Sequence, residues 1–270
     1  MVDIRQTSQY ARYLGKIGWK VERAAEINYF IKKIPLVGSI VKIQRPEEIR
    51  IDKIRELAKK YRTLQIIVEP KNELDIKFLT SLGFKLSKSP YLPTKTLFLD
   101  LTKSERELIK GMKKDARYAI KKTKNLKTKE IKNLEKFREA WKKSVGIKRY
   151  VPSLSHLAAL KNSFKDKCLL LTTQDSSAGA IFLVGDGRAY YWQAFTNKEG
   201  RKSLAQYKIV WEGILWAKTK RARVFDFEGI LDERFPNKSW KGFTHFKKSF
   251  GGYEIEYPGC FTKAMVPFSL

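Results

Sequence analysis

Cysteine and histidine are scarce in this chain, with two of each in 270 residues. Cys168 and Cys260 show no metal-ligand spacing, and His156 and His245 are the only imidazoles available to assist them. A zinc ribbon, a disulfide framework and a Cys-His nucleophile therefore lack their residues, and two buried free thiols are expected. Long apolar runs are missing too. Nothing approaches the ~18 residues of a membrane span, and the stretch from Met1 to Arg5 has no signal-peptide core, so a cytoplasmic protein is expected. The third deficit is acid: 28 Asp and Glu against 56 Lys and Arg leave a formal charge of +28 at pH 7. That excess is spread along the chain, and a field of this size attracts nucleic acid, anionic lipid or phosphorylated substrates.

What is present is ample material for cores: 43% hydrophobic residues, 13% aromatic, enough for one large domain or two ordinary ones. Tyr13, Leu14 and Ile17 recur at helical steps before Gly18, and strands are expected around Ala25–Ile31 and Ser39–Gln44. A helix over 47–61, a strand Leu64–Val68 ending at Glu69, a helix near Asp75–Leu82 and a strand Thr96–Leu101 follow. Thr102 and Glu105 read as a capping box that opens one helix running to about Lys124. Its apolar face holds Leu108, Met112, Ala116 and Ala119; the other carries Lys110, Lys113, Lys114, Arg117, Lys121 and Lys122, a basic stripe with few acids to neutralise it. After helices at 134–145 and 153–164 come strands Cys168–Thr173, Gly179–Val184 and Ala189–Phe195, then a helix Leu204–Lys218 and a short strand from Val224. This is an α/β (α+β) layout of mixed sheets flanked by helices.

The stretch from Phe225 to Tyr257 organises the rest. Asp226 ends an apolar run, Glu228-Gly229 breaks it, and Phe246 and Phe250 lie four apart on one face of a helical turn that carries Lys247. Gly251-Gly252 stops that turn and allows another backbone or a substrate to come close. Such a turn can hold a cation at a reacting centre. No Ser-His-Asp set is visible. Tyr190 and Tyr191 stand on a central strand, and Asp226 and Glu228 flank the point where the last apolar run breaks.

The string F-K-x-x-F-G-G, preceded by D-F-x-G-I, resembles the closing motif of the FemABX family of aminoacyl-tRNA-dependent peptidyltransferases. The segment L-I-K-G-M-K-K-D-A-R-Y-A-I-K-K-T resembles that family's junction motif, with Arg117, Tyr118 and Lys121 on matching positions, and S-Q-Y…L-G-K-I-G-W-K resembles its opening. The resemblance implies two tandem GNAT-like domains, 1–125 binding the precursor and 126–270 transferring the aminoacyl group. No coiled-coil arm is expected. It implies a monomer without a cofactor that moves an amino acid from aminoacyl-tRNA to the stem-peptide amine of a UDP-linked muramyl peptide or lipid II, the latter bringing peripheral contact with the membrane surface. On that reaction Lys247, seated by Phe246 and Phe250, stands beside the oxyanion, Tyr190 and Tyr191 are candidates to line the acceptor channel, Asp226 or Glu228 to take a proton from the attacking amine, Lys33 meets the precursor pyrophosphate and Glu69 lies near the substrate. Coenzyme A is disfavoured by residues 199–205, which hold one glycine where a pyrophosphate cradle needs several. A GNAT-type acyltransferase acting on another amine and a non-catalytic tRNA- or RNA-binding protein are the alternatives.

Overall fold

The computed structural model describes residues 1–146 and 150–265, and of Lys238 the backbone alone. The first half runs α1 (Ser8–Lys16), β1 (Lys20–Ala24), β2 (Ile27–Ile34), β3 (Gly38–Gln44), α2 (Ile51–Lys60), β4 (Thr63–Glu69), α3 (Leu74–Ser81), β5 (Lys85–Leu86), β6 (Lys95–Asp100), α4 (Glu105–Gly111), α5 (Lys114–Lys122) and β7 (Thr128–Glu130). Then follow α6 (Leu134–Val145), α7 (Leu154–Phe164), β8 (Cys168–Thr173), β9 (Ala178–Gly185), β10 (Arg188–Thr196), α8 (Lys198–Lys202), α9 (Ala205–Thr219), β11 (Val224–Asp226), α10 (Lys241–Lys248), β12 (Tyr253–Glu256) and β13 (Phe261–Ala264). These form two compact units: Met1–Lys95, Asp232–Asn237 and the chain from Glu256 on make one, and Thr96–Leu231 with Lys238–Ile255 the other.

The first unit holds a six-stranded sheet in the order β1-β2-β3-β4-β13-β5. Its one parallel pair among the described residues, β3 with β4, runs from Ser39 opposite Thr63 to Gln44 opposite Glu69, and α2 makes the crossover. Ile54, Leu57 and Ala58 recur at three- and four-residue steps and bury that helix against Tyr29, Val41, Ile66 and Val68. Asp3 accepts from Arg5 and Arg45 at 3.1 Å each, all three buried. Burial by itself raises the Asp232 carboxyl, but hydrogen bonds from Arg234 and Thr94 outweigh it and hold the group below the usual carboxylate range.

The second unit holds a seven-stranded sheet, β12-β6-β11-β10-β9-β8-β7. β7 to β10 form an antiparallel meander, and α9 lies on it with Ile209, Val210, Ile214 and Ala217 buried. A Cβ at Gly213 would sit 2.2 Å from the Phe182 ring, so a glycine sets how closely this helix approaches the sheet.

Several features differ from expectation. β1 and β2 are joined by Ala25-Glu26, both at positive φ (46° and 63°), a tight turn reached without the glycine or asparagine that normally announces it. The capping box is Ser104–Glu107, not Thr102–Glu105, and the single long helix is two. At Met112 the backbone turns extended (ψ 154°), its side chain is buried, and Lys113 N–H donates to Ser249 O at 2.8 Å. The division of the chain falls after Lys95 rather than at residue 125, because β6 pairs with β11 from Asp100 opposite Val224 to Phe98 opposite Asp226. The unforecast β13 joins β4 in the first unit, Phe261 opposite Val68.

Cys168 and Cys260 are buried and free, and burial pushes each thiol up to about 12. At pH 8 only about one thiol in ten thousand would then be ionised. Neither should react with a disulfide reagent in the native protein, and both should react at once in denaturant; two rapidly titrating native thiols would contradict the packing.

Candidate active site

β10 and β11 are parallel neighbours over three positions only, Arg188–Val224, Ala189–Phe225 and Tyr190–Asp226. Beyond Tyr190, β10 stays on β9 as far as Thr196, with an irregularity between Tyr191 and Gln193, while β11 ends. The space opens beyond the carboxyl end of β11, alongside the continuing half of β10, and a divergence of parallel strands is where α/β sheets characteristically take ligands. It is a cavity of about 610 Å³ walled by rings, among them Trp141, Trp192, Tyr207, Trp240, Phe243 and Phe246, with Gln193, Thr196, Arg201, Gln206, Glu228 and Lys247 as polar groups.

Lys247 is the buried cation of this cavity, 8% exposed. Its Nζ donates to Phe227 O at 2.7 Å and Gly229 O at 2.6 Å, and lies 5.1 Å from the Phe243 and 5.7 Å from the Tyr191 ring centre. A desolvated ammonium needs such partners, and they also fix where it points. Both carbonyls belong to the loop after β11, and that loop is itself held. Asp226 Oδ1 accepts from Thr96 Oγ1 at 2.6 Å and from Glu228 N at 2.8 Å, while Thr96 Oγ1 accepts from Gly229 N at 3.0 Å. Glu228 sits at φ +52°, a conformation few non-glycine residues adopt. Leu231 N–H donates to Thr244 Oγ1 at 2.8 Å and ties the loop to α10.

The cavity, the held lysine and the strand divergence all lie in the part of the chain that a scan against protein families matches to the FemAB family, residues 127–269, more than half of the sequence. The chain belongs to the FemAB family. Among solved structures, FemX superposes with a TM-score of 0.80 over 97% of this chain and 92% of its own, at 17% identity. The C-terminal domain of a putative lysylphosphatidylglycerol synthetase from Agrobacterium fabrum follows at 0.67, 12% identical, covering 97% of this chain and 89% of that one. A GCN5-related N-acetyltransferase from Kribbella flavida gives 0.50 at 11% identity, over 97% and 95%. At these identities the likeness shows the fold alone: a mixed α/β, GNAT-like architecture of two mixed sheets flanked by helices. A search of curated proteins finds no match to the sequence. Membership of the FemAB family supports an acyl- or aminoacyltransferase.

Of the residues expected at a FemAB site, Lys247, Phe246 and Tyr191 come together on the cavity wall. Tyr191 Oη accepts from Gln206 Nε2 at 2.7 Å, and Phe246 meets the Tyr207 ring edge-on at 4.8 Å. Phe250 is fully buried behind them, stacked on Tyr207 at 5.6 Å, and Tyr190 is fully buried on the opposite side of β10. Neither lines the cavity. Asp226 is likewise fully buried and shapes the loop, so Glu228 is the carboxylate of the pair that reaches the cavity.

Gly251 and Gly252 (φ +81° and +93°) allow a close approach, but the approaching backbone is the protein's own: a Cβ would lie 2.5 Å from Gly111 O and 2.2 Å from Phe98 O respectively. Arg117 donates to Met112 O at 2.5 Å, closing the end of α4, while Tyr118 and Lys121 are exposed on α5. Lys33 and Glu69 belong to the first unit. Lys33 is exposed on β2, whereas the buried Glu69 accepts from Gln44 Nε2 and Leu92 N, both at 2.6 Å, and clamps the end of β4 to the segment before β6.

Sequence reasoning passed over Trp192, Gln206, Tyr207, Trp240 and Phe243. A signal existed for one of them: Phe243, Phe246 and Lys247 stand at i, i+3 and i+4, one face of a helix. The others are brought in by the β10 irregularity and by helix packing.

Two substitutions test this construction. Thr96→Val leaves Gly229 N–H without its Thr96 acceptor and removes one of the two hydrogen bonds to the buried Asp226 Oδ1, and should cost about 1–3 kcal/mol in urea unfolding, with Thr96→Ser close to wild type. Gly252→Ala adds backbone strain and a collision with Phe98 O, and should cost about 2–4 kcal/mol. A wild-type unfolding curve for either would refute the packing described.

Proposed function

We propose that this protein forms a peptide bond: it transfers the amino acid of an aminoacyl-tRNA to the stem-peptide amine of a peptidoglycan precursor. The observation that carries this reading is the ammonium of Lys247, held by two backbone carbonyls in a ring-walled cavity at the divergence of β10 and β11, in a member of the FemAB family. The acceptor amine attacks the ester carbonyl, a C–N bond forms and a tetrahedral oxyanion develops beside Lys247. The C–O bond to the ribose then breaks. The amine proton passes by way of Glu228 to the departing hydroxyl, so no proton is gained or lost overall. The nucleophile belongs to the substrate and the ester is already activated, so a serine triad has no task here; placement and a fixed positive charge do the catalytic work.

Two further features support an RNA-borne donor. The exposed face of α5 carries Lys114, Arg117, Lys121 and Lys122 beside Tyr118, a surface suited to phosphate contact. The connection between β10 and α9 is occupied by the short helix α8 and by Leu204 in a left-handed conformation, and a Cβ at Gly200 would lie 2.4 Å from Ser177 O. That tight filling speaks against a pyrophosphate cradle for coenzyme A.

The test is single-turnover transfer of radiolabelled amino acids from pooled charged tRNA to a UDP-linked muramyl pentapeptide and to its lipid-linked form. Wild type should transfer, and Lys247→Ala should lose about 10²–10³-fold in rate while binding tRNA within about two-fold of wild type. Unchanged transfer by the variant would remove the lysine from the mechanism. Equal binding of charged and uncharged tRNA, without transfer to either acceptor, would favour the RNA-binding alternative.

A further inference from the structure

The turn between β2 and β3 presents an apolar tip that the fold does not use. Leu36 is 105% exposed, more than any other large hydrophobic residue among those described, and Val37 beside it is 55% exposed. Leu36 also holds φ +64°, which glycine or asparagine would adopt with less strain. A side chain that buries nothing, in a conformation that disfavours it, contributes to something outside the first unit's own stability.

The surroundings of the tip are basic. Lys32 and Lys33 are exposed on the strand leading into it, and Lys20, at the start of β1 opposite Ile31, is exposed at the same end of the sheet. Ser39 N–H donates to Arg62 O at 3.2 Å, which brings the exposed Arg62 alongside. The acid at this end, Glu22, is engaged by Lys60 at 3.1 Å and by Tyr61. Trp19, half-buried, lies under Lys42 and Lys32, with their ammonium groups 4.5 and 5.8 Å from its ring.

We propose that this end of the first unit docks on an anionic lipid bilayer, with Leu36 and Val37 entering the boundary between headgroups and acyl chains and Lys20, Lys32, Lys33 and Arg62 meeting lipid phosphates. The combination of aliphatic tip and cationic collar is what selects the partner. RNA would engage the lysines but has no use for exposed leucine and valine, since bases stack on rings. Two aliphatic side chains on a hairpin tip are also far too small for a stable protein interface. A bilayer takes both parts: apolar groups partition and basic groups gain from the surface potential. The docking does not depend on the transfer reaction.

The experiment is co-sedimentation of the full chain with vesicles of phosphatidylcholine containing about one-third phosphatidylglycerol, beside pure phosphatidylcholine. Wild type should bind the mixed vesicles and not the neutral ones. Leu36→Gly with Val37→Ser should weaken binding about tenfold or more, yet leave the melting temperature equal or higher, because glycine accepts the left-handed backbone. Lys32→Gln with Lys33→Gln should weaken binding about five-fold per charge and flatten its salt dependence. Wild-type binding by the apolar double variant, or no binding of wild type to the mixed vesicles, would overturn the proposal. So would loss of tRNA affinity in the apolar variant with vesicle binding intact, which would assign the tip to RNA.

Discussion

The pair of hydrogen bonds from Lys247 to the carbonyls of Phe227 and Gly229 is the constraint on which the second unit's site depends. A buried ammonium is tolerated only where oxygen atoms replace its water, so α10 and the loop after β11 must arrive together. The loop in turn needs a residue far upstream, Thr96, to bridge Asp226 and Gly229. β6 can deliver Thr96 because it pairs with β11 from Asp100 to Phe98. One cation thus makes the end of β11, the start of β6 and the last helix of the unit interdependent.

The same loop explains the opening of the sheet. Once Asp226 turns the chain away, β10 has no parallel partner beyond Tyr190 among the described residues, and its outer half presents Tyr191 and Gln193 to the cavity. The irregularity at Trp192 also puts consecutive residues of the strand, Tyr191 to Gln193, on the lining, which strict alternation would forbid. Aromatic walls and burial lower the effective dielectric around Lys247, which strengthens the electrostatic work asked of it in the proposed transfer.

Charge acts at another level. With a formal +28 and 28 acids against 56 bases, the surface has few local partners for its lysines, and the two exposed basic regions differ in what stands among them. On α5 the companion is the ring of Tyr118; at the β2–β3 turn it is Leu36 and Val37. Rings suit nucleic acid, and aliphatic tips suit lipid.

The sequence by itself determined most of the local elements, and it set Lys247 and Phe246 together on one short helical turn. The periodicity of Ile54, Leu57 and Ala58 marks α2, the meander from Cys168 to Phe195 is bounded by turn residues, and the turn bearing Phe246 and Lys247 is legible in spacing and in resemblance alike. What only the tertiary structure decided are matters of long-range pairing. It sorted Lys247, Phe246 and Tyr191 onto the cavity and Phe250, Tyr190 and Asp226 into its supports, it gave Gly251 and Gly252 to the protein's own backbone, and it divided the chain after Lys95. Periodicity reports which face of an element is apolar; whether that face meets a core or a cavity depends on segments more than a hundred residues apart, such as Thr96 and Asp226, and no local pattern carries that information.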